Sequence, residues 1–92
     1  MKLTIDDLKD YAKMGVLERH SERGKAIRKE IEERMRWMPG RWRRLIRFRF
    51  ILRYSELRTA TELHVEKRTV WRWTKEIAAW LEDTDKYLET MT

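Results

Sequence analysis

Residues 55–75 read SELRTATELHVEKRTVWRWTK, and this stretch decides the fold. Small and apolar residues in it have the spacing of two helices joined by a tight turn: Ala60, Leu63, Val65, Val70 and Trp73. Two helices that cross steeply with a turn of about three or four residues need a small side chain where their backbones approach, and Ala60 supplies it. Val70 and Trp73 are three residues apart and therefore share one face of the second helix. The spacing predicts a helix-turn-helix.

The outward face of the predicted second helix carries one stripe of basic residues. At about 100° per residue, Arg68, Arg72 and Lys75 lie opposite the apolar face, and Trp71 lies at the edge of the stripe. A recognition helix presents such a stripe to the major groove of DNA, although a merely solvated helix face can have the same composition. We expect the stripe to contact double-stranded DNA.

The charge of the whole chain fits a polyanionic partner. The 92 residues include 22 Lys and Arg against 16 Asp and Glu, a net charge of +6 with an isoelectric point near 9.9. An excess of this sign favours nucleic acid, and its distribution favours it further. Residues 36–53 contain no acidic residue. The same stretch contains seven arginines: Arg36, Arg41, Arg43, Arg44, Arg47, Arg49 and Arg53. The tail, by contrast, is acidic, with Glu82, Asp83, Asp85 and Glu89.

Several functional classes are not expected. The chain has no cysteine, which removes disulfides and thiolate metal sites and fits an intracellular protein. It shows no long apolar run, signal peptide or lipidation motif, so we expect a soluble, cytoplasmic protein without a membrane partner. His20 and His64 have no repeated acidic or histidine spacing around them, so we expect no metal, no cofactor, no small-molecule substrate and no catalysis.

The N-terminal part is predicted to be helical. Thr4 and Asp7 have the form of a shortened capping box and begin a helix over about residues 4–14, which Gly15 can end. A second helix, interrupted at Pro39, is predicted from the apolar repeat Ile27, Ile31, Met35 and Met38.

A third helix is predicted for residues 42–52 from the spacing of Trp42, Leu45, Ile46 and Leu52. The alternation in residues 47–50 would also suit a strand, but no second strand is available to pair with it. Arg49 falls inside the apolar face of this helix, and we expect it to pair internally with Glu56 or Glu62.

Ser55 is the expected N-cap of the first motif helix. The second motif helix should begin at Glu66 or Lys67, and it either continues as one long helix or bends near Asp83. Its apolar face continues through Ile77, Trp80, Leu81 and Leu88. Among the tryptophans, Trp42, Trp73 and Trp80 are expected in the core. The positions of Trp37 and Trp71 stay open, and an exposed side chain at either would suggest an interface.

These elements predict an all-α protein, a small helical domain with a C-terminal helix-turn-helix. Residues 1–37 would form an N-terminal helical segment and residues 38–92 the helix-turn-helix part with a long recognition helix, within one compact domain. The apolar repeat of the N-terminal segment is expected to provide a surface for a dimer or another partner.

The order of residues between 38 and 70 resembles a known pattern. The matching positions, without a gap, are Met38-Pro39, Phe48-Arg49-Phe50, Ser55, Ala60, Leu63-His64-Val65 and Thr69-Val70. This order is similar to the fourth conserved region of bacterial sigma factors and their phage-encoded relatives. The chain is too short for the promoter-melting regions of a sigma factor, and it more closely resembles small phage transcriptional regulators of the ArpU and RinA type. The resemblance implies a DNA-binding regulator.

The chain departs from the family pattern at four places. Thr59 stands for an apolar residue, Leu52-Arg53 for Glu-Gly, His64 for the glycine of the turn and Glu66 for a serine cap. His64 must accept the backbone angle that the turn demands, and histidine tolerates a positive φ. Glu66 suits the positive end of a helix dipole and could accept a hydrogen bond from a cytosine amino group.

Roles on DNA follow from the reach of each side chain. Arg68 and Arg72, one turn apart, are expected to make bidentate contacts to guanine. Lys67 should reach phosphate or a base edge, Lys75 phosphate, and Trp71 a thymine methyl group or a sugar. Backbone contacts from the first motif helix are expected from Ser55 and Arg58. Attraction independent of sequence is expected from Arg41, Arg43, Arg44 and Arg47, although such arginines also serve solubility.

Two functions are therefore open. In the first, the protein is a DNA-binding transcriptional regulator that docks its second motif helix in the major groove, as a homo-dimer or beside RNA polymerase, since one helix-turn-helix reads few base pairs. In the alternative, it is an oligomeric assembly or adaptor protein, such as a small phage packaging-terminase subunit, that binds DNA with little specificity. Arginines and a tryptophan on the exposed face favour the first function.

Overall fold

The computed structural model describes residues 2–91, with the side chains described as far as Thr84. The all-α prediction is confirmed, since the described residues form helices and no strand. The helices are α1 (Ile5–Lys13), α2 (Val16–Arg19), α3 (Glu22–Met35), α4 (Gly40–Ile46, extended by a π-helical turn Arg47–Ile51), α5 (Glu56–Leu63) and α6 (Lys67–Met91).

The start of α1 is set by the predicted capping box. Thr4 Oγ1 accepts a hydrogen bond from the backbone N–H of Asp7 at 3.3 Å, and the Asp7 carboxylate accepts one from the backbone N–H of Thr4 at 2.9 Å. The helix ends at Lys13, and Gly15 then precedes α2. A four-residue helix is too short to show a hydrophobic period, so α2 was not predicted.

Helix α3 begins earlier than its apolar repeat indicates. Ser21 is its N-cap and accepts from the N–H of Gly24 at 3.2 Å. Gly24 lies against α2 so closely that a Cβ there would be 2.6 Å from the carbonyl oxygen of Arg19. Glycine is therefore required where α2 and α3 meet.

One hydrophobic core is shared by all the helices from α1 to α6 except α2, and it extends along the chain from Leu3 to Leu81. The apolar repeat of α3 is buried in this core together with Met38. The prediction that this repeat provides a dimer or partner surface is therefore wrong, because Ile27, Ile31, Met35 and Met38 are covered by the protein's own helices.

The helical prediction for residues 42–52 is confirmed, although its last part is a π turn that the pattern did not predict. Arg19 stabilises the end of this turn, donating to the carbonyl oxygens of Ile51 at 2.8 Å and Phe50 at 3.1 Å. Its guanidinium also stacks on Tyr11, 4.3 Å from the ring centroid, and partial burial lowers its pKa. Leu52 lies beyond the helical turns and is exposed, so its predicted place on the apolar face is wrong.

Arg49 is half-buried and bonded internally, but its partner differs from the prediction. Its guanidinium donates to the carbonyl oxygen of Tyr54 at 3.2 Å, and no ion pair joins it to Glu56 or Glu62 within the described side chains. Tyr54 lies between the π turn and α5, so Arg49 bonds to the segment that joins the two.

Helix α6 begins at Lys67, as predicted, and continues past Asp83 without interruption. Trp80 packs edge-on against Trp42, with ring centroids 6.3 Å apart and planes at 71°. Ile77 and Leu81 are fully buried. Leu88, predicted on the same face, lies outside the described side chains.

Candidate nucleic-acid interface

The candidate interface is built on α5, the turn at residues 64–66 and the first half of α6. Ser55 caps α5 as predicted, with its hydroxyl oxygen accepting from the backbone N–H of Arg58 at 3.1 Å. Ala60 is buried where α5 and α6 meet, and Val70 is buried on the α6 side. The remaining predicted members, Leu63, Val65 and Trp73, are half-buried and packed against the core.

The turn after α5 has a defined hydrogen-bond pattern. His64 adopts φ 57° and ψ 41°, in the left-handed region. The N–H of Val65 donates to the carbonyl of Ala60 at 3.0 Å, and the N–H of His64 donates to that of Thr61 at 3.2 Å. These 6→1 and 5→2 bonds form a Schellman motif, which ends α5 and redirects the chain within three residues.

A second residue shares the unusual backbone of His64. Arg53, in the segment between the π turn and α5, has φ 61°. Both residues occupy positions that are glycine in the sigma-like pattern, and glycine is the residue that populates positive φ freely. The chain therefore keeps the backbone conformation that glycine favours while placing larger side chains there.

The predicted basic stripe lies on the exposed face of α6, and its members have different surroundings. Arg68 is paired with Glu66, with Nε 2.7 Å from Oε2, and both side chains are mostly exposed, at 84% and 69%. Lys75 lies over Trp71, with Nζ 3.9 Å from the ring centroid. Arg72 is exposed and has no hydrogen bond, ion pair or ring contact with the described residues.

Trp71 is 53% exposed and lies beside the start of α5. It lines a shallow groove together with Lys67 and Arg68 from α6 and Glu56 from α5. A half-exposed aromatic ring with cations beside it suits contact with an apolar group or a sugar.

The predicted backbone-contacting residues of α5 are also ordered by neighbours. The Arg58 guanidinium lies 3.7 Å from the ring centroid of Tyr54. Tyr54 in turn stacks on Phe48, with centroids 5.7 Å apart and planes 9° from parallel. Arg58 is therefore held at the N-terminal end of α5, where the free backbone N–H groups of the helix are also located.

The predicted arginine cluster of α4 is exposed, whereas Leu45 and Ile46 of the same helix are buried. The cluster consists of Arg41, Arg43, Arg44 and Arg47. Arg41 connects it to α6, since its guanidinium is 5.8 Å from the Trp73 ring centroid and 5.9 Å from that of Trp42. The other three extend the positive surface along α4 without a described partner.

Sequence reasoning missed a second group of cations. Lys9 and Lys13 of α1 line a cleft together with Arg49 and Arg53. Lys9 and Lys13 are four residues apart and so share one helix face, a signal that was available. Their proximity to the two arginines depends on the packing of α1 against the π turn, which no local pattern predicts.

The described residues contain no group of three or more His, Asp or Glu side chains placed to hold a metal ion. None of their helices has both the length and the apolar character that a membrane span requires. No family model, curated protein or solved structure matches this chain.

Proposed function

We propose that this protein is a DNA-binding transcriptional regulator of phage type, acting in the cytoplasm, that inserts the first half of α6 into the major groove. The observation that carries the proposal is the solvent-exposed, unpaired guanidinium of Arg72, flanked on the same face by Arg68 and Lys75. An unpaired arginine on a fixed helix can make the bidentate contact to guanine that is the commonest specific contact in protein–DNA complexes.

The dimensions of α6 support this role. A helix with its side chains is about 10–12 Å across and matches a major groove about 12 Å wide. The rise from Arg68 to Lys75 is about 10 Å, which spans roughly three base pairs at 3.4 Å each. One copy of the protein therefore reads a short site, and useful specificity requires a second copy or RNA polymerase alongside.

The connection between α5 and α6 also supports the resemblance to sigma region 4. A helix-turn-helix requires a short turn, and the Schellman motif at His64 provides one. Arg53 and His64, at the two glycine positions of the pattern, both have the positive φ that glycine favours, and this supports the proposal.

The test is selection of binding sites from a random pool of duplex DNA. We expect enrichment of a short motif containing guanine. Arg72→Lys keeps the charge but loses the bidentate geometry, so it should relax the base preference at one position by about 1–3 kcal/mol. Arg43→Lys, on the exposed face of α4, is the matched control and should retain the preference. Equal recovery of every sequence by the unmodified protein would contradict the proposal.

A second candidate, an assembly or adaptor protein, is favoured by one observation. Trp37, in the turn between α3 and α4, is 77% exposed, and exposed tryptophan is enriched at the centres of protein interfaces. Light scattering separates the two functions: a large oligomer lost in Trp37→Ser, together with equal binding to all duplexes, would support assembly. A sequence-selective monomer or dimer unaffected by Trp37→Ser would support the regulator.

A further inference from the structure

A cleft of about 340 Å³ lies between α1, the π turn, the first residue of α5 and Thr74 of α6. Four cationic side chains and one carboxylate line it: Lys9, Lys13, Arg49, Arg53 and Glu56. Four cations around one cavity repel one another, and a single half-buried carboxylate offsets only part of that repulsion. Such a cleft attracts an anion.

The cations are arranged to leave donors free. Lys9 and Lys13 have no hydrogen bond or ion pair with the described residues. Arg53 donates one hydrogen bond to the carbonyl oxygen of Met14 at 3.2 Å, and Arg49 donates one to the carbonyl oxygen of Tyr54. Each guanidinium has five N–H donors, so one bond fixes its position and the others stay free for a ligand.

The backbone of Arg53 is a separate observation that points to a role for its side chain. Its φ of 61° lies where glycine is favoured and a long side chain is disfavoured. Strained residues persist where the surrounding structure or a function requires their side chain. Arg53 bridges the C-terminal end of α1 and the cleft, which a glycine could not do.

The cleft lies beside the candidate reading helix. Glu56 lines both this cleft and the shallow groove of Lys67, Arg68 and Trp71. Thr74, which also lines the cleft, follows Trp71 by three residues on α6. A duplex lying along the exposed face of α6 would therefore bring its backbone towards the cleft at the α5 end.

We propose that the cleft lined by Lys9, Lys13, Arg49 and Arg53 binds a phosphate group of the DNA backbone next to the base pairs that α6 reads. This inference rests on the proposed function, and it extends the DNA footprint to α1, a helix outside the sigma-like segment. Free inorganic phosphate has the same chemistry, so the experiment includes it as a separate arm.

The experiment compares two double variants of equal charge in the full chain. Lys9→Gln with Lys13→Gln removes two cations from the cleft, whereas Lys25→Gln with Lys29→Gln removes two exposed cations of α3 that do not line it. The apparent affinity for the selected duplex is measured at several salt concentrations. One phosphate contact contributes about 0.9 to the slope of log affinity against log salt, so the cleft variant should have a slope shallower by about 0.9 than the α3 variant.

Ethylation interference then locates the contact. We expect one phosphate outside the base pairs contacted by α6 to be required by the unmodified protein and the α3 variant, but not by the cleft variant. Identical slopes and identical interference patterns for the two double variants would overturn the proposal for duplex phosphate.

Titration of the isotope-labelled protein with inorganic phosphate, followed by NMR, separates the sources of the anion. Saturable shifts of the amides around Lys9, Lys13 and Arg53, with no difference between the variants on DNA, would identify a free-phosphate site instead of a backbone contact. If the unmodified protein binds no DNA, the proposed function fails, and the same titration still decides whether the cleft binds phosphate. In that case, the absence of saturable shifts would overturn the proposal that the cleft binds phosphate.

Discussion

Thr59→Val should stabilise the protein, because Thr59 of α5 has a buried hydroxyl without a hydrogen-bond partner among the described residues. Its side chain is completely buried, and Oγ1 has no hydrogen-bond partner among the described residues. Valine has almost the same shape and replaces the hydroxyl with a methyl group. The substitution therefore removes an unsatisfied polar atom without creating a cavity.

The size of the effect follows from the cost of the hydroxyl. A buried polar group without a partner costs about 1–3 kcal/mol in proteins, and threonine and valine have similar helix propensities. We expect the free energy of unfolding to rise by about 1–3 kcal/mol. For a domain of this size, each kcal/mol raises the Tm by about 4–8 °C.

Urea and thermal unfolding, followed by circular dichroism, measure the change. Thr61→Val is the matched control in the same helix: Thr61 is exposed, its hydroxyl donates to the carbonyl of Leu57 at 3.0 Å, and its substitution should change stability by less than about 0.5 kcal/mol. Thr59→Ser keeps the hydroxyl and removes the methyl group, so it should destabilise by about 1 kcal/mol. If Thr59→Val lowered stability as Thr59→Ser does, the hydroxyl would have to be satisfied and the reasoning would fail.

Two further predictions concern the backbone, and denaturant unfolding tests both. His64→Gly should raise the free energy of unfolding by up to about 1 kcal/mol, because glycine relieves the strain of the left-handed backbone. His64→Val should lower it by about 1–3 kcal/mol. A valine variant more stable than the glycine variant would contradict the turn geometry. Gly24→Ala should lower stability by about 1–3 kcal/mol, because its Cβ would lie 2.6 and 2.7 Å from backbone atoms of Arg19. Gly15→Ala, with nothing within 4 Å of the new Cβ, is the control, and an equal loss in both variants would refute the close packing of α2 on α3.

The features predicted correctly from the sequence are those set by neighbours along the chain. The cap of α1 joins Thr4 to Asp7 and the cap of α5 joins Ser55 to Arg58, each across three residues. The start of α6 at Lys67 and the exposed stripe on it likewise follow from the helical period. Local hydrogen bonds and a single periodic face are therefore enough to place these elements.

The errors concern contacts between residues far apart in the chain. The period of α3 shows that it has an apolar face, but not whether that face packs inside the protein or on a partner, and Ile27 and Ile31 pack inside. The end of the π turn depends on Arg19, more than thirty residues earlier. The basic cleft similarly requires α1 to lie beside Arg53. Such contacts depend on how the helices pack together, whereas a sequence pattern shows only which face of each helix is apolar.

The ion pair between Glu66 and Arg68 affects which arginine of α6 is the better candidate for contacting a base pair. The pair is exposed, so it contributes only about 0–1 kcal/mol, less than the 1–3 kcal/mol of discrimination that a good bidentate base contact provides. If α6 enters the major groove, Arg68 can leave Glu66 at small cost, whereas Arg72 has no pair to break. The two members of the pair also match the two edges of a G·C pair, since guanine offers acceptors to arginine and cytosine offers an amino donor to a carboxylate. If the proposed function holds, Glu66, where the sigma-like pattern has serine, would add a base preference that the resemblance does not predict.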